Sequence, residues 1–228
     1  MKWHTRLLLV GAGLLLAAGC AHTQLDAGSV RDITRLAVVV RAAAGPTVTV
    51  ARSNSREGRA FPDKSPADAD KALQEVLAKQ VSVFEIEERV REALMAKLPG
   101  SPPWSTAMSA SQVATALQSF LVVDHSQPID FDALRSAGAD AVLELRVSDW
   151  GLTYSGKSGL YLKGDGKLYR LPGKSGIWAD VYDVNLASDP ESDGVDVVAL
   201  RNGGFREAVI HLVGKLADRL VPELAGKP

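Results

Sequence analysis

The only cysteine of the chain, Cys20, stands directly after an apolar N-terminal segment, and this position constrains the fold more than any other feature. A single thiol excludes internal disulfides and cysteine-rich zinc sites, so a hydrophobic core must stabilise the chain. Lys2 and Arg6 precede the apolar residues 7–18. This stretch is shorter than the about 20 residues that span a bilayer, and small residues follow it, as is typical of a cleaved signal peptide. The folding chain therefore begins near residue 20.

The end of this segment indicates an attachment to lipid. Leu16-Ala17-Ala18-Gly19-Cys20 resembles the lipobox of bacterial lipoproteins, with Ala17 where leucine is commonest. The resemblance implies cleavage between Gly19 and Cys20 and acylation of Cys20 with chains such as palmitate, which would anchor the protein. Ala21, where aspartate would favour the inner membrane, implies the outer membrane of a Gram-negative cell, facing the periplasm. The alternative is an ordinary secretory signal followed by an incidental cysteine.

Processing divides the chain into a signal peptide (1–19), a lipidated tether (20–34), a domain (35–224) and a short tail (225–228). Removal of residues 1–19 takes away Lys2 and Arg6 but no acidic residue, so 209 residues remain and the net charge changes from −1 to −3. At about 3.3 Å per residue, the tether would hold the domain within about 45 Å of the lipid.

Hydrophobic periodicity within residues 35–224 predicts one α/β (α+β) domain, with a mixed sheet of about five to seven strands and helices packed on it. We expect strands over 36–41, 141–147, 177–184 and 195–200, a hairpin partner or edge strand over 47–50, and a hairpin over 161–171 turning at Gly164-Asp165-Gly166. We expect helices over 66–98, with a break near Gln80-Val81-Ser82, over 109–120, over 131–137 and, as a long C-terminal helix, over 205–224.

Charge is distributed unevenly although the total is near zero. Residues 151–176 hold Lys157, Lys163, Lys167, Arg170 and Lys174 against a single aspartate, whereas residues 177–200 hold six acidic residues and no Lys or Arg. Cross-strand pairing of these charges is one interpretation, and a surface for a protein partner or for anionic lipid or wall polymer is the other. The balance of charge excludes a basic nucleic-acid surface.

Trp104 follows Pro102 and Pro103 in a connector between helices. If its side chain is exposed, it is a candidate contact residue for a partner, because tryptophan is enriched at the centres of interfaces. We group it with Lys157, Lys163, Lys167 and Arg170 as possible partner or lipid contacts.

Three segments match the residues of a catalytic or binding motif but lack the structural context that the chemistry of the motif requires. Residues 151–158 (GLTYSGKS) match a phosphate-binding loop, but a glycine-punctuated segment follows where a helix should begin. Asp189, Glu191 and Asp193 resemble half of a calcium loop, with Leu200 in place of the final glutamate. Asp124-His125-Ser126 are adjacent in sequence and so do not form a triad. We therefore expect no enzyme, no cofactor and no metal.

Short motifs along residues 35–220 resemble the periplasmic domain of outer-membrane lipoproteins related to the curli-secretion and penicillin-binding-protein activator lipoproteins. They are Gly138-Ala139-Asp140, the segment 147–151 (VSDWG) and the segment 177–183 (IWADVYD). The resemblance implies a non-catalytic accessory or assembly factor that binds an envelope protein. Pore formation and synthase activation are not implied, because the chain has no long tether and no amphipathic strand pair. The alternatives are a lipid- or peptidoglycan-binding module, and a hydrolase or nucleotide-binding protein.

Overall fold

A mixed six-stranded sheet forms the centre of the molecule in the computed structural model, which describes residues 23–26, 28–30, 32–51, 61, 63–98, 104, 106–118 and 128–225. The strands are β1 (Arg35–Ala42), β2 (Thr47–Thr49), β3 (Thr106–Ala107), β4 (Ala141–Tyr154), β5 (Ser158–Arg170) and β6 (Ser175–Asn185). The helices are α1 (Pro66–Ala78), α2 (Val83–Met95), α3 (Ala110–Ala116), α4 (Phe131–Ser136), α5 (Val197–Ala199) and α6 (Phe205–Leu224), and a π-helical segment (Leu200–Gly204) joins α5 to α6.

The long strand β4 organises the sheet, whose order is β3-β1-β4-β5-β6. Both β1 and β2 pair with β4 in parallel, one after the other along the same side, while β5 pairs with β4 and β6 pairs with β5 in antiparallel fashion. The predicted α/β domain with a mixed sheet and a long C-terminal helix is confirmed. The segment 47–50, expected as a hairpin partner or an edge strand, is a short strand on β4 and not a hairpin with β1.

The two faces of the sheet are covered unequally. We call the face under α1, α2 and α6 the inner face and the opposite one the outer face. The main core lies on the inner face and includes Val38, Leu145, Ile86 and Leu216. A smaller cluster, with Val39, Val142 and Leu134 among its members, lies on the outer face beneath α3 and α4. No helix in the described part of the chain is long and apolar enough to cross a membrane.

Helix boundaries follow the capping residues of the sequence. Ser65 caps α1 with Pro66 in the first turn, and the predicted break is confirmed, because Ser82 accepts a hydrogen bond from Glu85 N at 3.1 Å and starts α2. In the break, Gln80 donates to Leu200 O at 2.9 Å and accepts from Phe205 N at 3.3 Å. The break therefore also fixes the start of α6.

The predicted hairpin at Gly164-Asp165-Gly166 is wrong, because β5 runs straight through these residues. A Cβ atom on Gly164 would lie 1.9 Å from Arg146 O, and one on Gly166 would lie 2.8 Å from Trp178 Cζ3. The two glycines thus allow close approach of neighbouring groups instead of forming a turn.

The predicted strand over 195–200 is also wrong. Asp196 accepts a hydrogen bond from Val198 N at 2.9 Å and caps α5, after which the chain continues through the π-helical segment into α6. A local cap outweighs the β-propensity of the valines there.

Described residues of the predicted tether pack on the domain. Val30 and Ile33 are buried in the main core, and Arg170 pairs with Asp32 at 3.4 Å. Thr23 adds a single antiparallel bridge to the edge of β6, with hydrogen bonds of 2.9 and 3.3 Å to Ala179.

The remainder of the β6 edge is covered from α6. Arg219 donates to Val181 O at 3.0 Å and to Asp183 O at 3.5 Å, and it also pairs with the buried Asp180 at 3.1 Å. One long side chain thus satisfies two edge carbonyl groups and a buried carboxylate.

The motif Gly138-Ala139-Asp140 makes the junction between α4 and β4. Gly138 ends the helix with a φ of 97°, a left-handed conformation that glycine adopts readily. The Asp140 carboxylate accepts hydrogen bonds from Thr34 N, Thr34 Oγ1 and Arg35 N at 3.1, 3.0 and 2.9 Å. Burial by itself would raise the pKa of Asp140, but these hydrogen bonds lower it below its ordinary value.

Candidate functional site: a basic pocket on the outer face

A cavity of about 500 Å³ opens on the outer face, beside the start of α4. We call it the outer-face pocket. It is lined by Arg41, Pro128, Ile129, Phe131, Glu144, Arg146, Tyr169 and Lys174. Three cationic side chains face one carboxylate, so the lining is basic although the whole chain is not.

Strand alternation places the polar side chains of this pocket. In β4, Leu143, Leu145 and Val147 are buried on the inner face, so Glu144 and Arg146 lie on the outer face. Arg41 is in direct register with Arg146 on the neighbouring strand. Two arginine residues therefore lie side by side on neighbouring strands of the outer face.

Aromatic rings form another wall. Phe131, the first residue of α4, packs edge-on against Tyr169 of β5, with ring centroids 5.0 Å apart. Asp130 fixes the position of Phe131, because its carboxylate caps the helix by accepting from Ala133 N at 2.9 Å. Lys174 lies over the Phe131 ring at 4.9 Å from the centroid. This lysine has a φ of 53° in the turn between β5 and β6.

Tyr169, which lines the pocket, has a pKa above the ordinary value of a tyrosine. Burial raises the pKa of Tyr169, and the carboxylates of Glu144 and Asp165 raise it further, while Arg146 lowers it. The carboxylate of Glu144 is thus close enough to the Tyr169 hydroxyl group to interact with it. The lining holds Arg41, Arg146 and Lys174 against this one carboxylate.

This arrangement suits the binding of an anion with an attached ring. Arginine presents parallel N–H groups that match phosphate and carboxylate, and aromatic walls supply apolar contact area.

Lys157, a predicted contact residue, is engaged within the domain. Its ammonium group donates to Asp189 O at 2.5 Å and to Ser192 O, and so ties the β4–β5 turn to residues 189–192, which we call the acidic loop. Residues 151–158, the phosphate-loop match, form the end of β4, a turn and the first residue of β5. The lysine that would hold a phosphate in such a loop therefore binds backbone carbonyl groups instead.

Two of the other predicted cations form ion pairs within the domain. Lys163 pairs with Asp183 at 3.3 Å, and Arg170 with Asp32 at 3.4 Å. Lys167 is exposed and is in register with Glu144. Strands β5 and β6 are neighbours, and Lys163 lies directly opposite Asp183, as the cross-strand interpretation predicts for this pair.

Trp104 is not exposed, so the condition for its role as a contact residue is not met. Its side chain is 2% exposed, belongs to the main core and donates from Nε1 to Leu224 O at 3.0 Å. The prediction of an exposed contact fails because the ring anchors the end of α6.

The remaining predicted positions divide into two groups. Gly19 and Cys20, and also Asp124-His125-Ser126, lie outside the described residues. The calcium-like loop is described, and its expected last ligand position, Leu200, is buried at the start of the π-helical segment. Among the described residues, no group of three or more His, Cys, Asp or Glu side chains could hold a metal ion.

Sequence reasoning missed the pocket residues Arg41, Glu144, Arg146 and Tyr169, and counted Lys174 only as part of a charged block. A signal for β4 was available, because ELR between apolar residues places Glu144 and Arg146 on the same face. The pairing of Arg41 with Arg146 depends on the parallel register, which sequence alternation alone does not determine.

The sequence matches no family model and no curated protein. Structural similarity was found with protein XCC0632 of Xanthomonas campestris, of family-model DUF330, at 11% identity and a TM-score of 0.41, covering 89% of this chain and 88% of that one. Lipoprotein GNA1162 of Neisseria meningitidis has 13% identity and a TM-score of 0.38, with 85% and 99% covered. The LpoB C-terminal domain of Salmonella enterica has 15% identity and a TM-score of 0.31, with 69% and 90% covered. At these scores the likenesses carry no argument about function.

Proposed function

We propose that this chain is a lipid-anchored protein of the outer membrane whose periplasmic domain is a non-catalytic accessory or assembly factor in an envelope complex. The lipobox-like sequence that ends at Cys20 carries the proposal, because it supplies both the export signal and the attachment point.

The position of Thr23 supports this proposal and sharpens it. Thr23 pairs with Ala179 on the edge of β6, and only three residue steps separate it from Cys20. Three extended steps span about 10 Å, far less than the reach of a free tether. The β6 side of the domain would then lie close to the lipid headgroups.

The exposed groups on the outer side of β6 are suited to contact with a protein. Val181 is 55% exposed and lies between the alternating charges of β5 and β6, where Lys163 pairs with Asp183. An apolar side chain surrounded by paired charges favours a partner with matched charges over an anionic lipid surface. The lipid-binding alternative is less well supported, because Lys163 and Arg170 both have acidic partners.

The anchor is tested by replacing Cys20 with Ser in the full chain. We expect the variant to lose acyl labelling and to leave the membrane fraction, because no other lipid attachment site is available in the sequence. Unchanged labelling and fractionation would refute the anchor.

The partner is tested by photocrosslinking in cells from position 181, with position 210 as the matched control. Ile210 is 45% exposed and lies on α6, on the other side of the sheet. We expect a discrete crosslinked envelope protein from position 181 that position 210 does not give. Equal patterns from the two positions would contradict the assignment of the outer side.

A further inference from the structure

We propose that the outer-face pocket binds a small molecule that carries a phosphate or carboxylate group on a ring. This inference does not depend on the lipid anchor or on a protein partner, since it concerns only the lining of the cavity.

The charges of the pocket converge from separate parts of the chain. Arg41 comes from β1, Arg146 from β4 and Lys174 from the turn after β5. Like charges at one register position of neighbouring strands repel each other, and a bound anion would offset this repulsion between Arg41 and Arg146. The fold thus gathers three cationic side chains from separate parts of the chain around one cavity.

Some charged side chains of the outer face have partners within the domain. Lys163, which lies on β5, is paired with Asp183, and the carboxylate of Glu144 interacts with Tyr169. A diffuse surface for a polyanion or a membrane would require the cations of β5 to face solvent together. Three cationic side chains therefore line one cavity, while Lys167 is an exposed cation of the same face outside it.

The dimensions and the aromatic wall specify the rest of the ligand. A volume of about 500 Å³ lies within the usual range for small-molecule sites, roughly 300–1,000 Å³. The Phe131 and Tyr169 rings, 5.0 Å apart, and the apolar residues Pro128 and Ile129 offer a surface for a planar or apolar group. An anion alone would leave this surface uncovered.

The test is calorimetric titration of the full chain, purified in non-ionic detergent, with four probes. Phenyl phosphate and benzoate carry the ring and the anion, inorganic phosphate carries only the anion, and phenol carries only the ring. We expect the first two to bind with one-to-one stoichiometry, at least about tenfold more tightly than either of the last two, because the two parts of the site act together on one molecule. Added salt should weaken this binding.

Variants locate the binding. Arg146→Gln should weaken phenyl phosphate binding about tenfold or more, and Lys174→Ala should weaken it as well, because each removes a charged partner of the anion. Lys167→Gln is the matched control: it removes an exposed cation from the same face, outside the pocket, and should leave the affinity unchanged. Circular dichroism of each variant verifies that it is folded.

Several outcomes would overturn the proposal. They are no binding of phenyl phosphate or benzoate at millimolar concentration, equal binding of phenol, and equal losses of affinity in Arg146→Gln and Lys167→Gln.

Discussion

Asp140 ties the start of β1 to the start of β4, and its replacement by Ala tests how much this junction contributes to stability. Three donors point at one carboxylate: Thr34 N at 3.1 Å, Thr34 Oγ1 at 3.0 Å and Arg35 N at 2.9 Å. Two of these hydrogen bonds are exposed and the third is partly buried, so each contributes less than the roughly 1.5–3 kcal/mol of a buried bond to a charged group. We expect Asp140→Ala to lower the free energy of unfolding by about 2 kcal/mol, and Asp140→Asn by about half of that, because an amide oxygen still accepts.

The measurement is urea unfolding of residues 21–228, followed by tryptophan fluorescence, since Trp104, Trp150 and Trp178 are all buried. Asp193→Ala, an exposed aspartate of the loop before α5, is the matched control and should change stability by less than about 0.5 kcal/mol. An effect of Asp140→Ala no larger than that of the control would refute the reasoning.

The pH dependence provides a second check on Asp140. Its pKa is lower in the folded chain than its ordinary value of 3.8. The carboxylate therefore contributes its full stabilisation above that ordinary value, and the contribution is lost as the pH falls through the lower folded pKa. We expect the difference in stability between wild type and Asp140→Asn to be constant from about pH 7 to pH 5 and to shrink below about pH 4. A difference that grows on acidification would contradict this assignment.

Two further substitutions test the packing around β5. Lys157→Ala removes the link to the acidic loop, and we expect urea titration to show a loss of about 1–2 kcal/mol of unfolding free energy. ATP with Mg²⁺ should not raise the melting temperature of the wild type. A rise that the variant abolishes would restore the nucleotide-binding hypothesis. Gly166→Ala places a methyl group 2.8 Å from Leu145 Cδ2 and Trp178 Cζ3 and should lower stability by about 1–3 kcal/mol. Gly176→Ala, whose Cβ would meet nothing within 4 Å, is its control, and equal melting temperatures for the two variants would show that Gly166 is not there for close packing.

Much of the fold was predictable because local signals and tertiary packing agree. The apolar run before Arg41 is the buried strand β1, Ser65 caps the first helix, and the predicted break near residues 80–82 separates it from α2. The predicted C-terminal helix forms as α6, and its apolar residues, such as Phe205 and Leu216, are buried in the core. In each case the information lies within a few residues of the chain.

The failures occur where the decisive contact is distant in sequence. Gly164 and Gly166 have turn character locally, but the carbonyl of Arg146 and the ring of Trp178 are the reason for their lack of a side chain. Trp104 lies in a connector and is buried because α6 ends beside it, 120 residues later. Local propensity carries no information about either neighbour.

The candidate site was predictable only in its parts. Alternation in β4 places Glu144 and Arg146 on one face, but the outer-face pocket exists because β1 brings Arg41 alongside and α4 brings Phe131. The basic residues that the sequence emphasised have partners within the domain: Lys157 binds backbone carbonyl groups of the acidic loop, and Lys163 pairs with Asp183 on the adjacent strand.

The covered edge of β6 has a consequence for a protein that is confined to a plane. Molecules anchored in one leaflet, as we propose for this chain, meet at far higher effective concentrations than molecules free in three dimensions. An open strand edge would then promote edge-to-edge pairing of the sheets of neighbouring copies. The bridge from Thr23 and the guanidinium group of Arg219 occupy the edge carbonyls at Ala179, Val181 and Asp183. The segment that follows the proposed anchor thus also supplies Thr23, which occupies part of the edge at which the sheets of two copies could join.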